Sequence, residues 1–390
     1  MVPLKYNVRN MRVRWVTTAL TIGCTALIVA STCLVFSMAA GLKRSLRLSG
    51  DPLDLLVLRA GSSNETNSGI SLDTARSIPT LDGIATDAEG NKLVAFELLN
   101  IPTVLRRDGN RANLIVRGVD LPTSPALRPD FQIIEGQMFE PGLGQCVVAR
   151  NIARGFQGAG LGETLVVGEK ESYKVVGIFT AGGSSAESEV WVDRRDLEKN
   201  ISREGSITSA QLRATSLETL NQLKSTLDDD ARFKLKAWPE RDFYEAQTRS
   251  SLFLLVFGAL IAVFLSVGAM FAAANTMFAA VKNRTREIGT MRALGFSRGD
   301  VLISFLGESL LLCALGGLLG VLLVMPLSWF GLSFDLVSFD TFAEVTGALR
   351  IDGVVIVIAL VMTIAMGLFG GLFPALRAVR LDVVRSLREV

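Results

Sequence analysis

Four long apolar runs, separated by polar segments, dominate the pattern along the chain. Residues 15–42, 250–281 and 353–376 carry no charged side chain, and residues 301–331 carry one, Glu308. A helix that crosses a bilayer needs about 20 apolar residues, so each run is long enough. The expected plan is one span, a soluble segment over 43–249, then three spans. Within 43–249 the pattern changes to short runs. Residues 54–60, 92–98 and 112–119 read as strands, and 71–78 as a short helix opened by Ser71. Short strands broken by turns fill 120–200. Residues 206–214, 216–230 and 232–238 read as β-α-β, with Leu217, Leu220, Leu223 and Leu227 on one face of the helix. A βα layer (43–119 and 205–240) thus flanks an inserted β-rich subdomain (120–200). Residues 43–50 and 240–251 read as helical extensions of the first two spans, a stalk for this domain. The polar loop 62–69 is its expected mobile part, and the Gly-rich stretch 155–162 reads as a turn.

Charge orients the spans. The N-terminal tail (1–14), the loop 282–300 and the C-terminal tail (377–390) hold 13 basic and 4 acidic residues. The loop 332–352 has Arg350 against Asp335, Asp340, Glu344 and Asp352. Basic segments stay inside, so both termini are expected in the cytoplasm and the large domain outside. A cleaved signal peptide is the competing reading of the first run, which is about twice the usual length of a signal core.

Composition then narrows the chemistry. The 390 residues have 49% hydrophobic and 20% charged side chains and a mean hydropathy of +0.39. Histidine is absent, which excludes a His-based triad, metal ligand or proton relay. Cys24, Cys33, Cys146 and Cys313 form no CxxC pair, which argues against a thiolate zinc site. The outer segment is near neutral, so no nucleic-acid partner is expected. Glu308 is an intramembrane charge, expected to pair with an arginine of the 282–298 loop or to snorkel, with a place in a proton path as the functional alternative. Gly316 and Gly320, and Gly367 and Gly371, are four-residue small-residue pairs suited to close helix packing, within one chain or between two. Gly268, Ala272 and the alanine run 272–274 offer similar small residues in the second span. In the 282–300 loop, Ile288, Met291 and Leu294 recur every third residue. They suggest a short amphipathic helix ended by Gly295, surrounded by Arg284, Arg286, Arg292 and Arg298. Such a basic helix suits anionic lipid or a groove on a soluble partner.

The stretch NTMFAAVKNRTREIGTMRALGFSRGDV (275–301) resembles the signature of the MacB/FtsX-like ABC transporter permeases. GGLFPALRAVRLDVVRSLRE (370–389) resembles that family's closing motif, with Pro374 ending the last span. The one-plus-three span order is similar too. The resemblance implies a membrane protein with four transmembrane helices and a large α+β periplasmic domain, made of a porter-like βα subdomain and a β-rich Sabre-like one. It also implies a type VII, mechanotransmission system in the inner membrane. In that reading the 282–300 loop is a coupling helix docking on a cytoplasmic ATPase, with Arg284, Arg286, Glu287, Ile288, Met291, Arg292 and Leu294 at the contact. A second permease chain, a periplasmic adaptor and membrane lipid are the other implied partners. No Gly-Lys dipeptide occurs, so a GxxxxGK[ST] phosphate loop is missing from these residues. The expectation is a non-catalytic subunit without a cofactor of its own, ATP and Mg being held by a separate ATPase. Its task would be export or transfer of a peptide, lipid, lipoprotein or antibiotic-like substrate. The alternative is an FtsX-type regulator that activates a cell-wall hydrolase.

Overall fold

The computed structural model describes residues 15–168, 171–230, 233–250, 252–329, 333–337 and 344–380. The tails before 15 and after 380 lie outside the described residues, with the basic side chains assigned to them. The chain divides into two compact units, 1–40 with 253–332 and 349–390, and 41–252 with 333–348.

The first unit is built from helices long and apolar enough to cross a membrane: Trp15–Leu48, Leu252–Asn283, Arg298–Trp329 and Gly353–Val379. The first continues to Leu48, so the helical extension expected over 43–50 forms. Pro374 does not end the last helix, which runs five residues further to Val379. A proline removes one backbone hydrogen bond, a cost of about 3 kcal/mol inside a helix. Here it is tolerated because Pro374, Ala375 and Ala378 are all buried in packing.

Glycines set the helix contacts, and those contacts are within one chain. A Cβ on Gly316 would lie 2.7 Å from the Cβ of Thr25, and one on Gly320 would lie 2.6 Å from the carbonyl oxygen of Ala26. This row therefore packs on the first helix. A Cβ on Gly367 would lie 3.0 Å from the Cα of Leu310, and one on Gly371 would lie 2.6 Å from the Cβ of Ser309. The fourth helix thus packs on the third, and Ser309 Oγ donates to the Gly367 carbonyl at 2.8 Å. In the second helix the expected set is met in part, by Ala273, which is buried and faces Gly370 of the fourth helix. Gly268 has nothing within 4 Å and Ala272 is exposed. The buried row is Ala262, Ala269, Ala273, Met277 and Ala280, the helical period counted from a different start.

The second unit is built on β1 (Asp54–Arg59), β2 (Ile70–Ser71), β3 (Val94–Asn100), β4 (Thr103–Leu105), β5 (Arg111–Asn113), β6 (Ile115–Val119) and β7 (Phe131–Gly136). It continues with β8 (Gln145–Ala149), β9 (Thr164–Val166), β10 (Ser172–Ala181), β11 (Glu189–Asp193), β12 (Ser206–Ile207), β13 (Ser209–Arg213) and β14 (Leu235–Pro239). The expected βα layer and β-rich insert are not separate sheets. One ten-stranded sheet runs β14-β1-β13-β3-β6-β11-β8-β10-β7, with β9 beside β10. The division survives in the packing. One core gathers Leu55, Ile207, Leu212, Leu223 and Leu235, the other Val116, Phe156, Phe179 and Trp191. The loop 332–352 holds two antiparallel strands, β15 (Ser333–Val337) and β16 (Glu344–Ala348).

Helix Leu217–Asp229 is capped by Ser216, which accepts from the Thr219 N–H at 3.2 Å. Leu220, Leu223 and Leu227 are buried, but Leu217 is 61% exposed. At 100° per residue it sits roughly 90° around the helix from the centre of the other three. The Gly-rich 155–162 stretch is a turn: Gly158 has φ +75° and sits against the Thr164 carbonyl, where a side chain would not fit.

Candidate coupling site

The loop after the second span folds into helix Thr285–Ala293. Leu294 follows as its cap, and Gly295 at φ +98° closes it. Gly295 N–H donates to the Arg292 carbonyl at 3.2 Å and Phe296 N–H to the Met291 carbonyl at 3.2 Å, the paired bonds of a Schellman stop. Ser297 and Asp300 then cap the third span reciprocally, Ser297 N–H to Asp300 Oδ2 at 3.0 Å and Asp300 N–H to Ser297 Oγ at 3.1 Å.

The helix is seated on the ends of three spans. Ile288 is fully buried among Met277 and Ala280 of the second span, Val301 and Phe305 of the third, and Ala375 and Ala378 of the fourth. Arg284 is buried as well. Its Nη1 donates to Glu308 Oε2 at 3.1 Å, its Nε to Glu287 Oε2 at 3.1 Å, and its guanidinium lies 5.2 Å from the Phe305 ring centre. The carboxylate inside the third span is therefore paired with an arginine of the loop, as expected. Arg292 Nη1 donates to the Val379 carbonyl at 3.1 Å, placing a cation at the C-terminal end of the fourth helix.

This geometry corrects part of the expected docking set. Arg284 and Ile288 face inward and hold the helix to the spans, so they offer nothing to a partner. Met291 and Arg292 are half-buried. Arg286 and Glu287 are exposed, and Leu294 is 76% exposed. Three-residue spacing drifts about 60° per step, so Ile288, Met291 and Leu294 grade from core to surface and do not share a face.

A second constellation lies in the outer unit. Arg117 is buried in the middle of β6, between β3 and β11. Leu99 and Trp191 are its register partners, so Glu97 and Glu189, two residues away, project from the same face. Arg117 reaches Glu65 at 2.8 Å, Glu97 at 2.9 Å and Glu189 at 2.8 Å. Arg128 closes on Glu97 with two bonds, Ser209 Oγ donates to Glu65 at 2.7 Å, and Trp191 Nε1 donates to Glu189 at 2.8 Å. Burial alone would push the Glu97 carboxyl up, but Arg128 and Arg117 outweigh it and hold the group down at about 2. Glu65 lies in the loop expected to be mobile. Asn64, Glu65 and Ser68 are buried, so the carboxylate pins that loop into the domain.

Comparison with known proteins places these features. A profile described as MacB-like periplasmic core domain matches residues 18–230. One described as FtsX-like permease C-terminal matches residues 259–383. The chain belongs to the MacB/FtsX-like permease family. It is 26% identical to the pyoverdine export ATP-binding/permease protein PvdT of Pseudomonas entomophila, over 96% of this chain and 58% of that one. It is 38% identical to the macrolide export ATP-binding/permease protein MacB of Sodalis glossinidius, over 34% of this chain and 19% of that one. The chain thus spans little more than half, or far less, of these relatives' length. The periplasmic region of MacB from Actinobacillus actinomycetemcomitans aligns at 10% identity and a TM-score of 0.38, over 53% of this chain and 96% of that one.

Within this MacB/FtsX-like chain, the loop 282–300 stood out in the sequence and the Arg117 cluster did not. The available signal was a lone arginine inside the apolar strand ANLIVRGV, with Glu97 and Glu189 placed equally oddly beside apolar runs. Such charges are almost never fully buried unless paired.

Proposed function

We propose that this chain is a permease subunit that carries force from a separate cytoplasmic ATPase, which binds ATP and Mg, to its periplasmic domain. The supporting observation is the seat of helix Thr285–Ala293. It is locked to the ends of three spans through Ile288, Arg284 and Arg292, yet it keeps Arg286, Glu287 and Leu294 outward. A partner that engages the outer edge moves the span ends with it. Two permease chains and two ATPases would form the working unit in the inner membrane. The cargo would be a peptide, lipid, lipoprotein or antibiotic-like molecule already outside the inner leaflet, passed to an adaptor. Export is favoured over the regulator of a cell-wall hydrolase because the MacB-like profile extends across the outer domain.

Leu294→Asp is the first test. It is exposed, so the fold stays intact, while co-purification of the ATPase falls at least tenfold; unchanged co-purification would sink the docking assignment. The topology has its own test. Ser63 is exposed, and a cysteine placed there reacts with an impermeant maleimide in intact spheroplasts. Labelling only after the membrane is opened would reverse the orientation.

A further inference from the structure

A cavity of about 230 Å³, lined by apolar and charged side chains, opens in the outer unit. It lies where the end of helix Trp15–Leu48, the loops around 127–131 and 181–186, and the start of helix Glu240–Ser250 meet. The volume holds about eight waters. The chain segments around it are fastened together. Gly50 fits so tightly that an added Cβ would lie 2.9 Å from the Arg241 nitrogen, and Ser185 N–H donates to Ser49 Oγ at 2.7 Å.

Most charges lining the cavity are already satisfied. Arg128 is taken by Glu97, and Glu189 by Arg117 and Trp191. Asp51 accepts from Leu53 N–H at 2.9 Å and lies 3.5 Å from Arg213. Glu240 accepts from Asp51 N–H and Gln211 Nε2. What remains is Arg47, Arg241 and Asp130, all exposed and without an ion pair or side-chain hydrogen bond among the described residues. Arg47 and Arg241 therefore offer two guanidiniums, and Asp130 one carboxylate, to whatever occupies the cavity.

We propose that this cavity binds a zwitterionic phosphoester bearing an amine, a phosphoethanolamine-type group, its phosphate between Arg47 and Arg241 and its ammonium on Asp130. Arginine suits the phosphate because its planar fork gives two parallel hydrogen bonds. Arg47 lies five residues beyond Leu42 on one helix, about 8 Å past the apolar run. A phospholipid headgroup and a soluble phosphoester are therefore both available sources. A bound group would bridge the segment that leaves the first span and the one that leads to the second.

The test uses the full chain in nanodiscs, titrated with glycerophosphoethanolamine, and separately native mass spectrometry after delipidation from nanodiscs of phosphatidylethanolamine and phosphatidylglycerol. The variants are Arg47→Gln/Arg241→Gln and Asp130→Asn, each checked for unchanged thermal unfolding. Saturable binding of the soluble probe, weakened at least tenfold by the double arginine variant, supports the site with a soluble source. Retained phosphatidylethanolamine that the same variant loses supports it with a lipid source. In either case Asp130→Asn should lose the preference for the amine over glycerophosphate or phosphatidylglycerol. Neither kind of binding, or equal binding by wild type and double arginine variant, overturns the proposal.

Discussion

Arg117→Met lowers the stability of the outer unit by about 3–5 kcal/mol, the usual loss when one partner of a buried ion pair is removed. That is a large share of the roughly 5–15 kcal/mol that holds a domain together. Three carboxylates meet Arg117 in the space between β3, β6 and β11. Without it, Glu97 keeps Arg128, but Glu65 and Glu189 keep only neutral donors, Ser209 and Trp191. Adding Glu65→Gln and Glu189→Gln to Arg117→Met should recover more than half of the loss, because no uncompensated buried charge then remains. Denaturant unfolding of the purified chain, followed by tryptophan fluorescence, reads both numbers. A loss below about 1 kcal/mol for the single variant would mean that the cluster does not hold the outer unit together.

Raising the pH from 5 to 8 destabilises the outer unit, and Glu240→Gln flattens that dependence. Glu240 is buried at the first turn of its helix. Burial, with the nearby Asp54 carboxylate, pushes its carboxyl up to about 8 from an ordinary 4.5. Arg128 acts in the opposite direction, and Glu97 adds to the rise. Between those two values the folded chain holds a proton that the unfolded chain has lost. Stability is therefore full below about 4.5 and declines as pH rises through 8. The span corresponds to about 4–5 kcal/mol at most. Glu97 contributes with the opposite sign only below 4.5, outside this window. Gln211 fits a protonated Glu240. Its Nε2 donates to Glu240 Oε1 at 2.8 Å while its own Oε1 is buried without a partner, and turning the amide over would let that oxygen accept the Glu240 proton. Unfolding midpoints measured across pH 5–8 check this. Equal slopes for wild type and Glu240→Gln would remove Glu240 as the source.

How much was legible in the sequence follows from the range of each signal. The four spans are local runs of apolar residues, and they appear within a few residues of where the runs put them. Most strands of the outer unit show for the same reason. The single sheet that joins βα layer and insert depends on β3 pairing with β6 and β6 with β11, contacts that no local pattern encodes. Glu65 is the sharpest case. Its neighbours Ser62, Ser63, Asn64 and Asn67 read as a free polar loop, and the distant Arg117 and Ser209 hold its carboxylate down. In helix Thr285–Ala293 the element was legible but the directions of its side chains were not. A three-residue repeat looks like one apolar face in a sequence, yet it winds around a helix of 3.6 residues per turn. Pro374 misled for another reason. Its local preference to stop a helix lost to tertiary packing on both sides.

The pairing of Arg284 with Glu308 joins helix Thr285–Ala293 to the third span, so under the proposed coupling it is where transmission is most exposed to a single change. The decisive measurement is amide hydrogen exchange over 240–246 in the nanodisc complex with its ATPase, nucleotide-free and ATP-trapped. Exchange should differ between the two states in the wild type. In Arg284→Ala/Glu308→Gln it should not differ, although the ATPase remains bound, since Leu294 and Arg286 are untouched. Identical wild-type exchange in both nucleotide states would contradict coupling through this chain.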